Sequence, residues 1–318
     1  MRPCASIRRR FRPPWCGGPI GTRGGAMTRA QVARLLEQHR ASGRRFTAAG
    51  IESFVLDSGA RDAPPVICVH GVPASSFLYR KVVAAMAQRG LRGIAIDLPG
   101  LGLAERPSDA DYTWSGLGRW LGAAIDALGI GRFHLVVHDI GGPIGFDVAN
   151  AAPDRVLSMT LLNTIIAVQR FHRPWPMEPF AHRAVGEMWL GLLRVPGAFE
   201  SIMRLVGVSS RVPSAEIACW KPLLFGDDGG RAFLEIMRGF ELTPEKQHNY
   251  IAAVQDTRYP VQIVWGVRDT MLSWRRYGAE ARQLAGTQRV TTLPAKHFLQ
   301  EDFPEEIAAA VQRLAQSS

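Results

Sequence analysis

Residues 136–149 read VVHDIGGPIGFDVA, and this stretch decides the fold. Its lead-in, RFHLVVH (132–138), is apolar and β-branched, the pattern of a strand buried on both faces. The segment that follows, GGPIGFDVANAA (141–152), is rich in small residues that let a helix start hard against that strand. Asp139 therefore stands on a strand-to-helix turn. Such a turn lifts its side chain above the sheet, and the N–H groups and dipole of the next helix favour negative charge there. A carboxylate so placed can attack an sp3 carbon and form an ester. The plainer expectation is that Asp139 only caps the helix, a position aspartate often takes.

Two further residues weigh against simple capping. His297 lies in LPAKHFLQEDFPEEIA (293–308), a loop that follows the strand-like QRVTTL (288–293). Asp269 lies in VQIVWGVRDTMLS (261–273), just past another apolar strand. Both positions fall beyond the carboxyl ends of strands, where open α/β sheets place their sites. In chain order the three run nucleophile, acid, histidine.

From about residue 47 to 315 the chain resembles the α/β-hydrolase superfamily and, within it, the haloalkane dehalogenases. The stretches that carry this are VICVHGVPASSFLYRKVV (66–83), IAIDLPGLGLAERPSDADYTW (94–114), LVVHDIGGPIGF (135–146), PDRVLSMTLLN (153–163), WGVRDTMLS (265–273) and KHFLQEDFPEEIA (296–308). The resemblance implies an α/β fold: a mostly parallel twisted sheet flanked by helices, with an inserted helical cap. It implies Asp139 as nucleophile, His297 as base and Asp269 as the acid that orients it. Asn163 occupies the strand end where other dehalogenase subgroups keep that acid, which favours Asp269. In the implied chemistry the carboxylate displaces a leaving group, and His297 then deprotonates the water that hydrolyses the ester. No metal or organic cofactor is expected.

At the leaving-group site the sequence departs from the family pattern. Haloalkane dehalogenases hold the departing halide with a tryptophan directly after the nucleophile, and with a second donor from an asparagine in the HGxP loop or a cap tryptophan. Here those positions are Ile140 and Val72. One such donor is worth about 3–4 kcal/mol in a transition state, and the backbone N–H groups of Val72 and Ile140 are the donors that remain. Trp189 in EMWLGLLRVP resembles the cap tryptophan of one subgroup by its spacing to Pro196, although a packed aromatic in a helix is an equal expectation. Epoxide hydrolases share the nucleophilic aspartate and protonate the epoxide oxygen with two cap tyrosines. Tyr250 in HNYIAAV resembles one of that pair, and the other is absent. Relatives that process β-lactones also carry aspartate at this turn. A reading of another class is a catalytically silent protein that binds a small molecule, against which the complete Asp139, Asp269 and His297 set argues.

Strand-like runs at 66–70, 94–97, 133–138, 157–163, 261–266 and 288–293 alternate with helical patterns at about 76–89, 112–128, 273–285 and 305–315. Alternation of this kind predicts a parallel sheet covered on both faces. Between about 166 and 257 strand character vanishes and prolines recur, which predicts a helical cap inserted after the sixth strand. The expected division is a core of residues 27–165 and 258–318 with a cap of 166–257. A cap over Asp139 would exclude water and leave apolar walls for a small apolar substrate. By resemblance Pro73 of HGVP follows a cis peptide that aims the Val72 N–H at the site, and Asp97 of IDLPGLG is a structural hydrogen-bond acceptor.

The chain has 318 residues, 47% of them hydrophobic, enough for one large core with a lid. Its net charge of +10 raises nucleic acid or membrane as partners, but six of the arginines fall in residues 1–26, which hold no acid. The rest carries only +4, without a basic stripe, so neither partner is expected. That Arg-, Gly- and Pro-rich tail is expected to be disordered, and no apolar segment follows its RRRF, so export is not expected. Because Met27 opens the more helical TRAQVARLLEQHR (28–40), residues 1–26 read as an over-extended start, with an Arg-rich targeting peptide as the lesser alternative. Cys4, Cys16, Cys68 and Cys219 show no metal spacing, which fits a reducing compartment. A cytoplasmic monomer or homodimer is the expectation.

Overall fold

A computed structural model describes residues 29–317, so the tail of 1–26 lies outside the described residues. The strands are β1 (Gly43–Ala48), β2 (Ile51–Ser58), β3 (Pro65–Val69), β4 (Arg92–Ile96), β5 (Phe133–Asp139), β6 (Val156–Thr164), β7 (Val261–Gly266) and β8 (Val290–Leu293). They form one sheet in the order β1-β2-β4-β3-β5-β6-β7-β8. Only β1 with β2 and β2 with β4 pair antiparallel; every pair from β4 to β8 is parallel. The parallel strands β3, β4 and β5 are buried almost throughout because both of their faces are covered.

The hairpin β1–β2 was not among the predicted strands. Gly43–Ala48 has Arg44 and Arg45 exposed, so it lacks the apolar run that marks the central strands. Charge on an edge strand discourages pairing with another chain. Ala49 and Gly50 close the hairpin with φ of 46° and 78°, a turn whose twist matches that of the strands. With this hairpin counted, β6 is the sixth strand.

Helix Ser76–Gln88 packs on helix Pro304–Ala315, and helix Trp114–Ala127 packs on helix Gly141–Ala151. The first is capped by Ser75, whose hydroxyl accepts from the Phe77 N–H, and the third by Thr113, which accepts from Gly116. The helix predicted over 273–285 opens with a π-helical turn, Trp274–Gly278, before Ala279–Leu284. A Cβ at Gly278 would stand 2.2 Å from the Trp274 ring, so glycine lets that indole lie on the turn.

Between Thr164 and Val261 the described chain forms helices and no strand. A buried charge cluster ties this stretch to the sheet-covering layer. Arg80 donates to Glu301 at 2.6 and 2.9 Å and to Glu216 at 2.6 Å, and Lys81 reaches both acids. Glu216 belongs to the inserted helix Ser214–Phe225, whereas Glu301 follows His297 by four residues. Glu301→Gln removes one charge from a buried pair and is expected to cost about 3 kcal/mol of unfolding free energy in urea. A loss below about 1 kcal/mol would mean that Glu216 alone neutralises Arg80. Cys68 and Cys219 are free thiols, and Cys4 and Cys16 lie outside the described residues.

Candidate active site

Asp139 ends β5 with φ of 54°, a left-handed conformation that costs a residue other than glycine about 1–3 kcal/mol. Close packing holds it there. A Cβ at Gly71 would lie 2.2 Å from Asp139 Oδ1, and one at Gly142 would lie 1.9 Å from Thr164 Oγ1. The Thr164 hydroxyl in turn donates to the Asp139 carbonyl at 2.6 Å. The carboxylate caps no helix: the N-cap position of Gly141–Ala151 is Ile140, without a side-chain hydrogen bond. Instead Asp139 Oδ1 accepts the Val72 N–H at 2.9 Å, beside a Val72–Pro73 bond that is cis. Asp97 accepts from the Ser76 and Leu103 N–H groups within the scaffold.

His297 comes from the loop after β8 and faces Asp139 across the sheet ends, with Nε2 3.5 Å from Asp139 Oδ2. Its Nδ1 is 2.8 Å from Asp269 Oδ2, which fixes Nδ1 as the donor and turns Nε2 toward Asp139. Asp269 is itself locked. Oδ1 accepts the Met271 and Leu272 N–H groups at 2.7 and 3.0 Å, and Oδ2 accepts from Asn163 Nδ2 at 2.7 Å. Asn163 Oδ1 then accepts the Gly266 N–H at 2.8 Å. Sequence reading set Asn163 and Asp269 apart as competing positions; the adjacent ends of β6 and β7 make them hydrogen-bonded partners. His138, which sequence reading passed over, packs its ring 4.7 Å from that of His297, with Nε2 3.0 Å from the His297 carbonyl oxygen.

Charge follows this geometry. Burial would raise the Asp139 carboxyl, but the hydrogen bond and charge of His297 outweigh it and hold it below the ordinary range. The Ile140 N–H adds to that lowering. Burial likewise opposes the imidazolium of His297, yet Asp269 and Asp139 together lift its pKa to about 10. His138 is pushed down to about 3, first by burial and then by the charge of His297, so it stays neutral. A histidine raised in the folded state stabilises fully below its unfolded pKa of about 6.5 and loses that contribution as pH climbs toward 10. Melting temperatures of the wild type are therefore expected to fall more steeply from pH 7 to 10 than those of His297→Gln. Parallel curves would contradict the ion pairs.

Above the carboxylate lies a cavity walled by apolar side chains that include Ile165, Phe171, Met237 and Phe240. Val72 and Ile140 line it, as expected of the two residues whose N–H groups meet Asp139. The third leaving-group candidate, Trp189, and the candidate cap acid, Tyr250, do not. Trp189 spends its indole N–H on the Pro176 carbonyl at 3.0 Å and lines a second apolar cavity. Tyr250 is buried between Trp114 and Phe146, away from the cavity at Asp139, with its hydroxyl unpartnered among the described residues. Resemblance to cap residues of known families brought both to notice. The structure adds a residue that sequence reading missed, Arg173, which lines the Asp139 cavity from the Pro-rich stretch after β6. No periodicity there marked it.

A family model for the alpha/beta hydrolase fold matches residues 64–194. Haloalkane dehalogenase 2 of Mycobacterium bovis is 30% identical over 266 residues, spanning 80% of this chain and 88% of that protein. The chain belongs to the haloalkane dehalogenase-like α/β-hydrolases. This hydrolase is also 28% identical over 282 residues to a cis-3-alkyl-4-alkyloxetan-2-one decarboxylase of Xanthomonas campestris pv. campestris, covering 83% of the chain and 92% of the relative. The crystal structure of haloalkane dehalogenase DbeA from Bradyrhizobium elkani has the same fold, with a TM-score of 0.74 at 24% identity over 87% of this chain and 99% of that one. Among the described residues of the dehalogenase-like chain, no helix is long and apolar enough to cross a membrane.

Proposed function

We propose that this hydrolase cleaves the carbon–halogen bond of a small haloalkane through an ester on Asp139. The observation that carries this reading is the Asp139 carboxylate, 3.5 Å from His297 Nε2, facing a cavity with apolar walls. An Asp139 oxygen attacks the carbon, and the halide leaves with the bonding pair. Water then adds to the ester carbonyl of Asp139 while His297 takes its proton, and Asp269 steadies the resulting imidazolium. Esterification removes the Asp139 charge that helps hold His297 protonated, so the imidazole pKa falls when a base is needed. Residues 166–257 act as a cap that keeps bulk water from the ester.

A single turnover in water enriched in oxygen-18 tests this. The label should enter the Asp139 carboxylate, and the first alcohol released should carry none. Label appearing directly in that alcohol would mean water attacks the substrate carbon, and the ester would be ruled out. Epoxide opening needs an acid at the departing oxygen, and Tyr250 stands outside the cavity, so the haloalkane reading is better supported.

Two outcomes follow from the cavity walls. With aliphatic side chains at 72 and 140, a poor leaving group receives no side-chain help from those positions. Intrinsic leaving-group ability then governs, and 1-bromohexane is expected to exceed 1-chlorohexane in kcat. Equal rates would require a halide donor elsewhere. Val72, Met177 and Met271 line both cavities, which makes the second a continuation of the first. At about 0.8 kcal/mol per buried methylene, kcat/KM is expected to rise about fourfold per carbon from bromobutane to bromooctane. A flat series would show that the second cavity is closed to substrate.

A further inference from the structure

The Asp139 cavity holds one cation that the ester chemistry does not use. Among the side chains lining it, Arg173 and His297 alone carry N–H donors. His297 is committed to the two aspartates. Arg173 makes no ion pair among the described residues, and its buried Nε has no hydrogen-bond partner there. Its Nη2 donates to the Met237 carbonyl at 3.3 Å, and its guanidinium lies 4.6 Å from the centre of the Phe240 ring. Those contacts fix the plane of the group and leave donors unspent. Arg80 and Arg106, more deeply buried, each face an aspartate or glutamate. A half-buried guanidinium whose Nε is buried without a partner is costly, and an anion entering the cavity would relieve that cost. Burial alone pulls Arg173 below its usual range, with the charge of Glu178 in partial opposition.

A planar fork of donors suits a carboxylate, which it can grip with two parallel bonds, better than a spherical halide. We propose that Arg173 is the receptor for a carboxylate, so that the substrates of this hydrolase carry or release one carboxylate beside an apolar body. The proposal rests on the reading of Asp139 as nucleophile and concerns what else the substrate at that site carries or releases. Two sources supply that chemistry. In a halogenated carboxylic acid the carboxylate is a fixed substituent: the Asp139 oxygen bonds to the halogen-bearing carbon and the halide departs. In a strained lactone it is created by the reaction: Asp139 bonds to the sp3 ring carbon, the ring C–O bond breaks, and its electron pair stays on the oxygen as carboxylate. Hydrolysis of the ester completes either cycle.

The test uses the full chain as wild type, Arg173→Met and Arg173→Lys, with thermal melts to confirm folding. Calorimetric titration with hexanoate should show binding to the wild type, at least tenfold weaker binding to Arg173→Met and partial recovery in Arg173→Lys. With 2-bromohexanoate, 4-butyl-oxetan-2-one and 1-bromohexane as substrates, the kcat/KM preference for an anionic or anion-releasing substrate over 1-bromohexane should fall at least tenfold in Arg173→Met. A fall confined to the bromo acid identifies a substituent carboxylate, and one confined to the lactone identifies a departing one. Equal hexanoate binding in wild type and Arg173→Met, or an unchanged preference, would overturn the assignment. If no substrate is turned over, the reading of Asp139 fails, while the hexanoate titration still decides the role of Arg173.

Discussion

Asp139→Asn is expected to stop turnover of 1-bromohexane, by about a million-fold if the nucleophile behaves as others do when removed. An amide oxygen has no charge to drive displacement at carbon, and its geometry is otherwise nearly that of the carboxylate. Asparagine also tolerates the left-handed backbone found here, and it can still accept the Val72 N–H, so the melting temperature should change little. The substitution has a second readout. With Asp139 uncharged, one of the groups that lifts His297 to about 10 is gone, and the imidazole should titrate at lower pH by NMR. More than about 1% residual activity in a preparation checked for deamidation would place the nucleophile elsewhere.

His297→Phe should separate the two halves of the reaction. Displacement of halide needs the carboxylate but not the imidazole, whereas hydrolysis of the ester needs a base. General-base catalysis is typically worth about 10²–10⁴-fold, so steady-state turnover should fall by about that much. A burst of one bromide per chain should persist. Mass spectrometry of the intact chain should then show one alkyl group, and the peptide that contains Asp139 should carry it. Phenylalanine fits the aromatic packing around Phe298 and His138, so a folded variant is expected. Steady turnover at the wild-type rate, or the absence of both burst and adduct, would sink the ester mechanism.

The parts of this molecule that were legible in its sequence are those where one residue type satisfies one local demand. The buried parallel strands announce themselves by runs of apolar residues, and the turn at Asp139 by glycines that leave room for close packing. Asp269 and His297 could be picked out because each follows a strand-like run within a few residues. The hairpin β1–β2 was missed because its first strand is half exposed and carries arginines, so it has no apolar run to read. The pairing of Asn163 with Asp269 was missed because it depends on which strands lie side by side, a fact that register supplies and spacing does not. Arg173 was hidden for a related reason: a cation in a proline-rich connection looks like ordinary surface until a cavity forms beside it.

The adjacency of β6 and β7 also bears on how such an enzyme diversifies. The chain leaves the sheet at Thr164, the carboxyl end of β6, and rejoins it at Val261, the amino end of the neighbouring parallel strand, so the whole helical excursion is inserted between two adjacent strands. Its length and sequence can change without altering the order of a single strand. The wall that meets the substrate is thus a replaceable module, while the groups proposed to make and break the ester stay with the sheet. Grafting a relative's excursion between these two points is accordingly a direct route to new selectivity on an unchanged reaction centre.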